Sequence, residues 1–360
     1  MSSKPLKPAV ILLADRTLSA RYHVLFEGIF ATMQTTQVPE AFMRRFLSPA
    51  ARTDANGRAH IVPQGLRRIE AALLKYTSLS KDDVVCTTPD RIGRLMGPWV
   101  KLVAFSSSDP LGMGMSNTTT TNFWKGELYS RVWTARTLEQ LSQWKQKHGF
   151  KIVVGGPGAW QWVEYRDKWP KADIDMVFQG YFEANGPDVF ERILTGGDSE
   201  KHVLESDPGA GRIQPIHGGS LLGVVEFSRG CGRGCKFCAM ARHKMIHLDS
   251  DTILSDLETN VAAGVRSVVS GSEDLFRYGT NNARPNFDAL YDLLTQVRQI
   301  KGLSFMQIDH GNITSVLQLT DEQLREIRRL LTWEKKTDYL WVNMGAESAN
   351  GHLVARHSPG

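Results

Sequence analysis

The sequence predicts an α/β protein made of two successive domains. Three features lead to this prediction: apolar strands alternate with amphipathic helices over residues 1–200, a stretch rich in glycine and polar residues follows, and the alternation then resumes. Strands that alternate with helices are typical of a parallel sheet covered on both faces. We therefore expect a first domain at 1–200, a linker at 201–220 and a second domain at 221–360.

The first domain contains five short apolar runs that predict buried strands. The first run, 8–14, is apolar throughout and stops at Asp15, as expected of a parallel strand buried on both faces. The other four runs lie at 84–87, 101–105, 151–157 and 175–180. Apolar residues at helical spacing predict helices at 65–76, 137–148 and 187–194.

Small and polar residues follow the strands of this predicted sheet. Because ligands of open α/β sheets bind beyond the carboxyl ends of the strands, we expect these residues to line a ligand site. They are Ser106, Ser107, Ser108 and Gly112 after the third strand, Gly155, Gly156 and Pro157 after the fourth, and Gly180, Tyr181 and Glu183 after the fifth. Residues of this kind suit a large flat ligand that lies across the sheet edge.

The second domain repeats the pattern on a smaller scale. Strands are predicted at 223–228, 266–271, 303–308 and 339–345, with helices between them at 249–264, 287–301 and 319–331. Polar side chains follow three of the strands, namely Glu273, Asp309 and Glu347. His310 lies there too, although histidines without a defined partner more often pack or face solvent than transfer protons.

Three cysteines follow the first strand of the second domain at C-x3-C-x2-C spacing: Cys231, Cys235 and Cys238. Three thiolates at this spacing can bind three irons of a [4Fe–4S] cluster and leave the fourth iron open to a small molecule. A zinc site remains an alternative if His243 or His247 supplies a fourth ligand. A disulfide framework is excluded, because four cysteines are too few for 360 residues.

This cysteine run, with the aromatic Phe237 before its last cysteine, resembles the signature of the radical S-adenosylmethionine (SAM) enzymes. In that family the cluster loop follows the first strand of a (β/α) barrel, as the loop does here after 223–228. The resemblance implies SAM contacts from Phe237, Gly271, Glu273, Asp309 and Glu347, with Glu273 at the amino group. The family barrel usually has more strands than the four predicted here, so we expect a partial barrel and a chain truncated at its C-terminus.

The first domain resembles the cobalamin-binding, Rossmann-like domain of B12-dependent radical SAM enzymes. The matching pieces are the helix start at Gly65, the Ser/Thr-rich loop, the run 154–157 and Gly180-x-x-Glu183 before a helix. The resemblance implies that the sheet-edge residues named above contact cobalamin. The chain lacks the Asp-x-His-x-x-Gly motif that supplies a histidine to cobalt, so we expect a cobalt without a histidine ligand on its lower face.

The family resemblance implies methyl transfer to an unactivated carbon of a small-molecule or peptide substrate. A cyclase or ring-rearranging reaction is the alternative, and a non-catalytic module that binds the Fe–S cluster and cobalamin is a second one. A radical SAM enzyme whose first domain binds no cobalamin is a third. Such enzymes also need an electron donor such as flavodoxin or ferredoxin. No catalytic residue can be named from the sequence.

Composition excludes several other classes of function. The net charge of +5 is mild, and no basic stripe interleaved with aromatic residues indicates nucleic-acid binding. No apolar run approaches the roughly 20 residues of a membrane span, and the N-terminus has no signal-peptide core. Free thiols and an oxygen-sensitive cluster predict a cytoplasmic protein.

Overall fold

The computed structural model describes residues 5–114, 120–198, 200–238, 243–333, 340–345 and 348–357. The chain divides into two compact units, Met1–Leu221 and Leu222–Gly360. No helix in these described ranges is long and apolar enough to cross a membrane.

The first unit contains a sheet with helices on both faces. Its strands are β1 (Val10–Ala14), β2 (Ile61–Val62), β3 (Val84–Thr87), β4 (Leu102–Ser106), β5 (Lys151–Gly155), β6 (Met176–Gly180), β7 (His202–Glu205) and β8 (Gly219–Ser220). Its helices are α1 (Arg16–Ser19), α2 (Leu25–Thr32), α3 (Glu40–Phe42), α4 (Gln64–Tyr76), α5 (Tyr129–His148), α6 (Ala159–Glu164) and α7 (Phe182–Leu194). Short 3-10 or π turns lie at Met43–Leu47, Ile92–Arg94, Arg166–Lys168, Ala210–Arg212 and Leu221–Gly223.

Six of these strands form one parallel sheet in the order β3-β1-β4-β5-β6-β7. β1 pairs with β3 on one side and with β4 on the other, so the chain reverses its direction of travel across the sheet between them. The carboxyl ends of β1 and β4 therefore meet at a topological switch point, where open α/β sheets bind their ligands. The predicted Rossmann-like architecture is confirmed.

The side chains of β1 alternate between two cores. Val10, Leu12 and Ala14 pack on the face covered by α4 and α7, whereas Ile11 and Leu13 pack on the face covered by α5 and α6. Burial on both faces explains the uninterrupted apolar run that predicted this strand.

Two predicted helices begin earlier in the structure than in the sequence analysis. α5 begins at Tyr129 rather than at 137, and α7 begins at Phe182 rather than at 187. Pro187 therefore lies inside α7, after the first turn, and not at the helix start that proline usually favours. Phe182 packs against Phe190 with ring centroids 4.8 Å apart, and this contact ties the extra turn to the core.

The predicted linker 201–220 is wrong, because this segment is part of the first unit. β7 pairs in parallel with β6, and β8 pairs with β2. The buried Arg67 donates from Nε to the carbonyl oxygen of Gly219 at 3.1 Å, and Arg68 donates from Nη1 to that of Gln214 at 2.7 Å. A segment held by a sheet edge and two guanidinium groups is not a free connector.

The second unit contains a smaller parallel sheet with helices after its strands. Its strands are β9 (Val224–Glu226), β10 (Ser228–Arg229), β11 (Ile246–His247), β12 (Ser267–Gly271) and β13 (Phe305–Ile308). Its helices are α8 (Ser250–Ala262), α9 (Phe287–Gln299), α10 (Ile313–Val316), α11 (Asp321–Leu331) and α12 (Gly351–His357), and a single turn lies at Leu275–Arg277. The sheet order is β13-β12-β9, and β10 pairs antiparallel with β11.

The predicted fourth strand, 339–345, is largely absent from its described residues, 340–345. In that segment a single parallel bridge joins Val342 to Ile308, the last residue of β13. The bridge places the segment beside β13, where the prediction puts the fourth strand, but a continuous ladder does not form in the described part of the chain.

Candidate cluster site and sheet-edge site

The cysteine loop leaves β10 and returns through β11. The backbone N–H of Cys231 donates to the carbonyl oxygen of His243 at 3.0 Å, and that of Cys238 donates to the carbonyl oxygen of Cys235 at 3.2 Å. All three cysteines are half-buried, and none of them is in a disulfide. Gly230 has φ of 72°, and a Cβ there would approach the Lys244 carbonyl oxygen to 2.5 Å, so the loop requires glycine at its entrance.

Arg233, between the first two cysteines, is bound by a buried polar network. Its Nη2 donates to Asp274 Oδ2 at 2.9 Å and to Ser315 Oγ at 2.6 Å, and its Nη1 donates to Thr314 Oγ1 at 2.9 Å. Asp274 is fully buried and also accepts from the Ser315 hydroxyl and from the backbone N–H of Asn312. We call this set, Arg233, Asp274, Thr314 and Ser315, the loop anchor. It ties the cysteine loop to the end of β12 and to α10.

A second guanidinium group reaches the loop from the turn Leu275–Arg277. Arg277 is 3 % exposed, and its Nη1 donates to the carbonyl oxygen of Cys231 at 2.8 Å. It also donates to the carbonyl oxygens of Asn282 and Asn281, at 2.8 Å and 3.4 Å. Burial raises the pKa of the Cys231 thiol, while the Arg233 backbone and the charges of Arg233 and Arg277 lower it. Sequence reasoning missed Arg233, Asp274 and Arg277.

The zinc alternative requires ligands that converge on one ion. No three Cys, His, Asp or Glu side chains in the described ranges converge in this way. His247 Nε2 donates to the carbonyl oxygen of Thr280 at 2.9 Å, and its Nδ1 has no hydrogen-bond partner among the described residues. Three cysteines that each bind a different iron of a cluster need not converge on one point, whereas the ligands of tetrahedral zinc must. The buried positive charge beside Cys231 also suits an anionic group.

Of the predicted strand-end residues of the second unit, Asp309 and His310 are in contact. His310 Nδ1 lies 3.3 Å from Asp309 Oδ2, and Asn343 Nδ2 lies 3.4 Å from His310 Nε2. Burial raises the pKa of Glu273, the charge of His310 lowers it, and that of Asp309 raises it further. Glu273 is exposed, and its charge contributes to raising the pKa of Cys231.

The remaining predicted SAM contacts are Gly271, Phe237 and Glu347. Gly271 ends β12, where a Cβ would lie 3.2 Å from the Val225 carbonyl oxygen, so a small residue is required by sheet packing. Phe237 is 56 % exposed in the cysteine loop. Glu347 lies outside the described residues.

In the first unit, the residues after β4 and β5 pack closely at the carboxyl edge of the sheet. The backbone N–H of Ser107 donates to the carbonyl oxygen of Gly155 at 3.3 Å, and that of Gly158 donates to the carbonyl oxygen of Ser107 at 3.0 Å. Gly156 has φ of 92°, and a Cβ there would lie 2.3 Å from Ser106 Oγ. The edge is therefore built from closely packed backbone and small side chains.

A buried pair that sequence reasoning missed orders the loop after β4. Gln161, on α6, donates from Nε2 to Asp109 Oδ1 at 2.8 Å. The Oε1 of the same Gln161 accepts the backbone N–H of Leu111 at 3.0 Å, and Asp109 Oδ1 accepts that of Gly114. Nothing in the sequence marks this pair, because its members are far apart in the chain.

The predicted cobalamin contacts separate into surface and buried positions. Gly156, Pro157 and Gly180 are exposed at the edge. Ser106, Ser108, Gly155 and Tyr181 are half-buried, and Ser107 and Gly112 are buried. Glu183 is 2 % exposed and lies in the first turn of α7, not in the loop before it as predicted.

Comparison with known proteins gives distant relatives in sequence. No family model matches the chain. Over 155 residues it is 26 % identical to the ribosomal protein uS12 methylthiotransferase RimO of Rhodospirillum rubrum, which is 41 % of this chain and 32 % of that protein. Over 179 residues it is 33 % identical to the RimO of Leptospira biflexa, covering 48 % of this chain and 38 % of that one. The chain thus spans about a third of the length of these curated relatives.

Solved structures match nearly the whole chain. The cobalamin-dependent S-adenosylmethionine radical enzyme OxsB matches over 98 % of this chain and 46 % of its own, with a TM-score of 0.54 and 14 % identity. The radical S-adenosylmethionine methyltransferase TsrM from Kitasatospora setae, solved with cobalamin and a [4Fe–4S] cluster, matches over 96 % and 60 %, with a TM-score of 0.57 and 11 % identity. The chain therefore has the fold of the cobalamin-dependent radical SAM enzymes, and the family resemblance in its sequence is confirmed at the level of the fold.

Proposed function

We propose that this protein is a radical SAM enzyme whose second unit holds a [4Fe–4S] cluster on Cys231, Cys235 and Cys238. The observation that carries the proposal is the setting of the cysteine loop, which follows β9 and is held by two buried guanidinium groups. An anionic cluster with three thiolate ligands fits that positive setting. The methylthiotransferase relatives and the two structural neighbours support the same class of cofactor chemistry.

The residues of the second unit would bind and orient SAM. When bound, the cluster and SAM supply one-electron cleavage of a carbon–sulfur bond, and cobalamin supplies a methyl carrier. Glu273, next to the Asp274 that pairs with Arg233 of the cysteine loop, is exposed and can accept hydrogen bonds from the SAM amino group. Asp309 holds His310 beside it and presents a second acceptor at the same edge.

We further propose that the carboxyl edge of the first sheet binds cobalamin. The switch point between β1 and β4 supplies the location, and the exposed Gly156 and Pro157 leave room there for a ligand to approach the backbone. The missing Asp-x-His-x-x-Gly motif leaves the lower face of cobalt without a histidine. Electron paramagnetic resonance (EPR) of the Co(II) form would contradict this last point by showing imidazole splitting.

The reaction we favour is methyl transfer to an unactivated carbon of a small molecule or peptide. The TsrM neighbour, a methyltransferase, supports this choice. Ring formation or rearrangement is the alternative reaction within the same cofactor set. A flavodoxin or ferredoxin would supply electrons to the cluster in a cytoplasmic setting.

Removal of one cluster ligand tests the enzyme proposal. We expect anaerobically reconstituted, dithionite-reduced protein to form 5′-deoxyadenosine from SAM, and Cys235→Ala to reduce this product to background. Cys86→Ala is the matched control, because Cys86 is fully buried in the first unit and should leave the product unchanged. Unmodified protein that holds four irons and yet forms no 5′-deoxyadenosine would favour the non-catalytic alternative.

Cobalamin binding is tested at Gly156. Hydroxocobalamin retained through gel filtration, seen in the visible spectrum, is expected for the unmodified protein. Gly156→Ala should weaken binding about tenfold or more, or ~1.4 kcal/mol, because its Cβ displaces Ser106 and Ser107 at the edge.

Gly149→Ala is the control for this variant. Gly149 also has a positive φ, 76°, but a Cβ there meets no atom within 4 Å, and it precedes β5 at the opposite edge. Equal affinity in the two variants would contradict the edge site. A protein that retains no cobalamin would favour a radical SAM enzyme without it.

A further inference from the structure

Arg277 is a buried cation without a carboxylate partner. Its hydrogen bonds all go to backbone carbonyl oxygens, those of Cys231, Asn281 and Asn282. Within the described ranges, no carboxylate oxygen lies within 4.0 Å of its guanidinium nitrogens. A buried charge is costly unless an opposite charge compensates it. Among the described residues, no side chain neutralises this positive charge beside the first cysteine.

The neighbouring guanidinium group differs in this respect. Arg233 is paired with the fully buried Asp274, so its charge is already neutralised inside the loop anchor. Asp274 attracts Arg277 as well, but Arg233 repels it, and burial is the main cause that lowers the pKa of Arg277. An arginine remains charged even so, because its ordinary pKa lies far above neutrality. Of the two described arginines whose charges act on Cys231, Arg277 is the one whose charge no carboxylate compensates in the described part of the chain.

We propose that Arg277 is a positioning residue for the cluster, whose charge compensates the thiolate-bound cluster and favours its reduced form. This inference rests on the proposed function. Three thiolates outweigh the positive charge of an oxidised [4Fe–4S] core, and reduction adds one further negative charge. A fixed cation in a low-dielectric setting stabilises the reduced state more than the oxidised state, and this raises the reduction potential. The hydrogen bond to the Cys231 carbonyl oxygen keeps the cation beside the ligand.

Two variants distinguish the effect of the Arg277 charge from the effect of its packing. Arg277→Gln removes the charge, whereas Arg277→Lys retains it. The cluster potential is measured by redox titration followed by EPR, with iron content measured in parallel. We expect Arg277→Gln to lower the ratio of reduced to oxidised cluster about tenfold at a fixed solution potential. This corresponds to a reduction potential that is lower by ~59 mV for one electron. Arg277→Lys should stay much closer to the unmodified protein.

Arg284→Gln is the matched control, since Arg284 is exposed in the segment that follows the turn. It should leave the potential unchanged. An unchanged reduction potential in Arg277→Gln would overturn the inference. Equal losses of iron in Arg277→Gln and Arg277→Lys would also overturn it, because they would show that Arg277 acts through packing and not through its charge. If Arg277→Gln loses iron and Arg277→Lys retains it, the role of the charge is supported. Failure of the unmodified protein to hold iron would instead contradict the proposed function.

Discussion

Asp274→Ala is expected to destabilise the second unit by about 3–5 kcal/mol and to prevent cluster loading. The substitution leaves the Arg233 guanidinium group buried without its counter-ion, which is the costly way to break a buried ion pair. It also removes the acceptor of the Ser315 hydroxyl and of the Asn312 backbone N–H. Because Arg233 lies between Cys231 and Cys235, the cysteine loop should lose its shape together with the anchor.

The measurement is native-state hydrogen exchange of the Val268 and Val269 amides in β12, which reports on the second unit alone. Asp292→Ala is the control, because Asp292 is an exposed acid on α9 and its loss should cost about 0.5 kcal/mol or less. Unchanged protection and full iron content in Asp274→Ala would contradict the structural role of the loop anchor. Replacing both Arg233 and Asp274 by apolar residues should recover part of the stability.

Gly180→Ala is expected to destabilise the first unit by about 3 kcal/mol or more. Gly180 ends β6 at φ of 115°, and a Cβ there would lie 1.8 Å from the carbonyl oxygen of Glu205, its partner in β7. The cost combines strained backbone with overpacking, each about 1–3 kcal/mol. We expect β7 to separate from the sheet edge.

Loss of exchange protection at the Val177 amide, which donates to the carbonyl oxygen of Lys201 at 2.9 Å, would report this change. Gly196→Ala provides the comparison, since Gly196 has φ of 81° and open space around its Cα. It should cost only the backbone strain. If Gly180→Ala were as stable as Gly196→Ala, β7 could move aside without cost. Contact with a ligand would then remain as the reason why position 180 is a glycine.

The sequence predicts most of the architecture because its strands are buried on both faces. β1 is an uninterrupted apolar run for that reason. β7 escapes prediction because it is an edge strand in which Val203 is buried and Leu204 is exposed. The sequence does not predict the early start of α7, because proline is expected in the first turn of a helix. Pro187 lies beyond the first turn of α7.

The candidate site is predicted only where its chemistry is local in the chain. The cysteines are recognisable because their spacing is short, but the groups that hold their loop come from distant segments. Glu273 and Asp274 show the limit most clearly. Adjacent carboxylates in one loop have different settings, since Asp274 is fully buried and pairs with Arg233 whereas Glu273 is exposed. Only the path of the folded backbone distinguishes them.

The loop anchor is relevant to how the proposed cluster is inserted and to how it is repaired after damage by oxygen. In small zinc domains the metal itself organises the chain, so removal of the metal unfolds it. Here an arginine, an aspartate and two hydroxyl groups brace the cysteine segment through protein contacts. For the proposed cluster, this bracing predicts that iron and sulfide are inserted into an already folded polypeptide and that a cluster destroyed by oxygen is rebuilt on the same molecule.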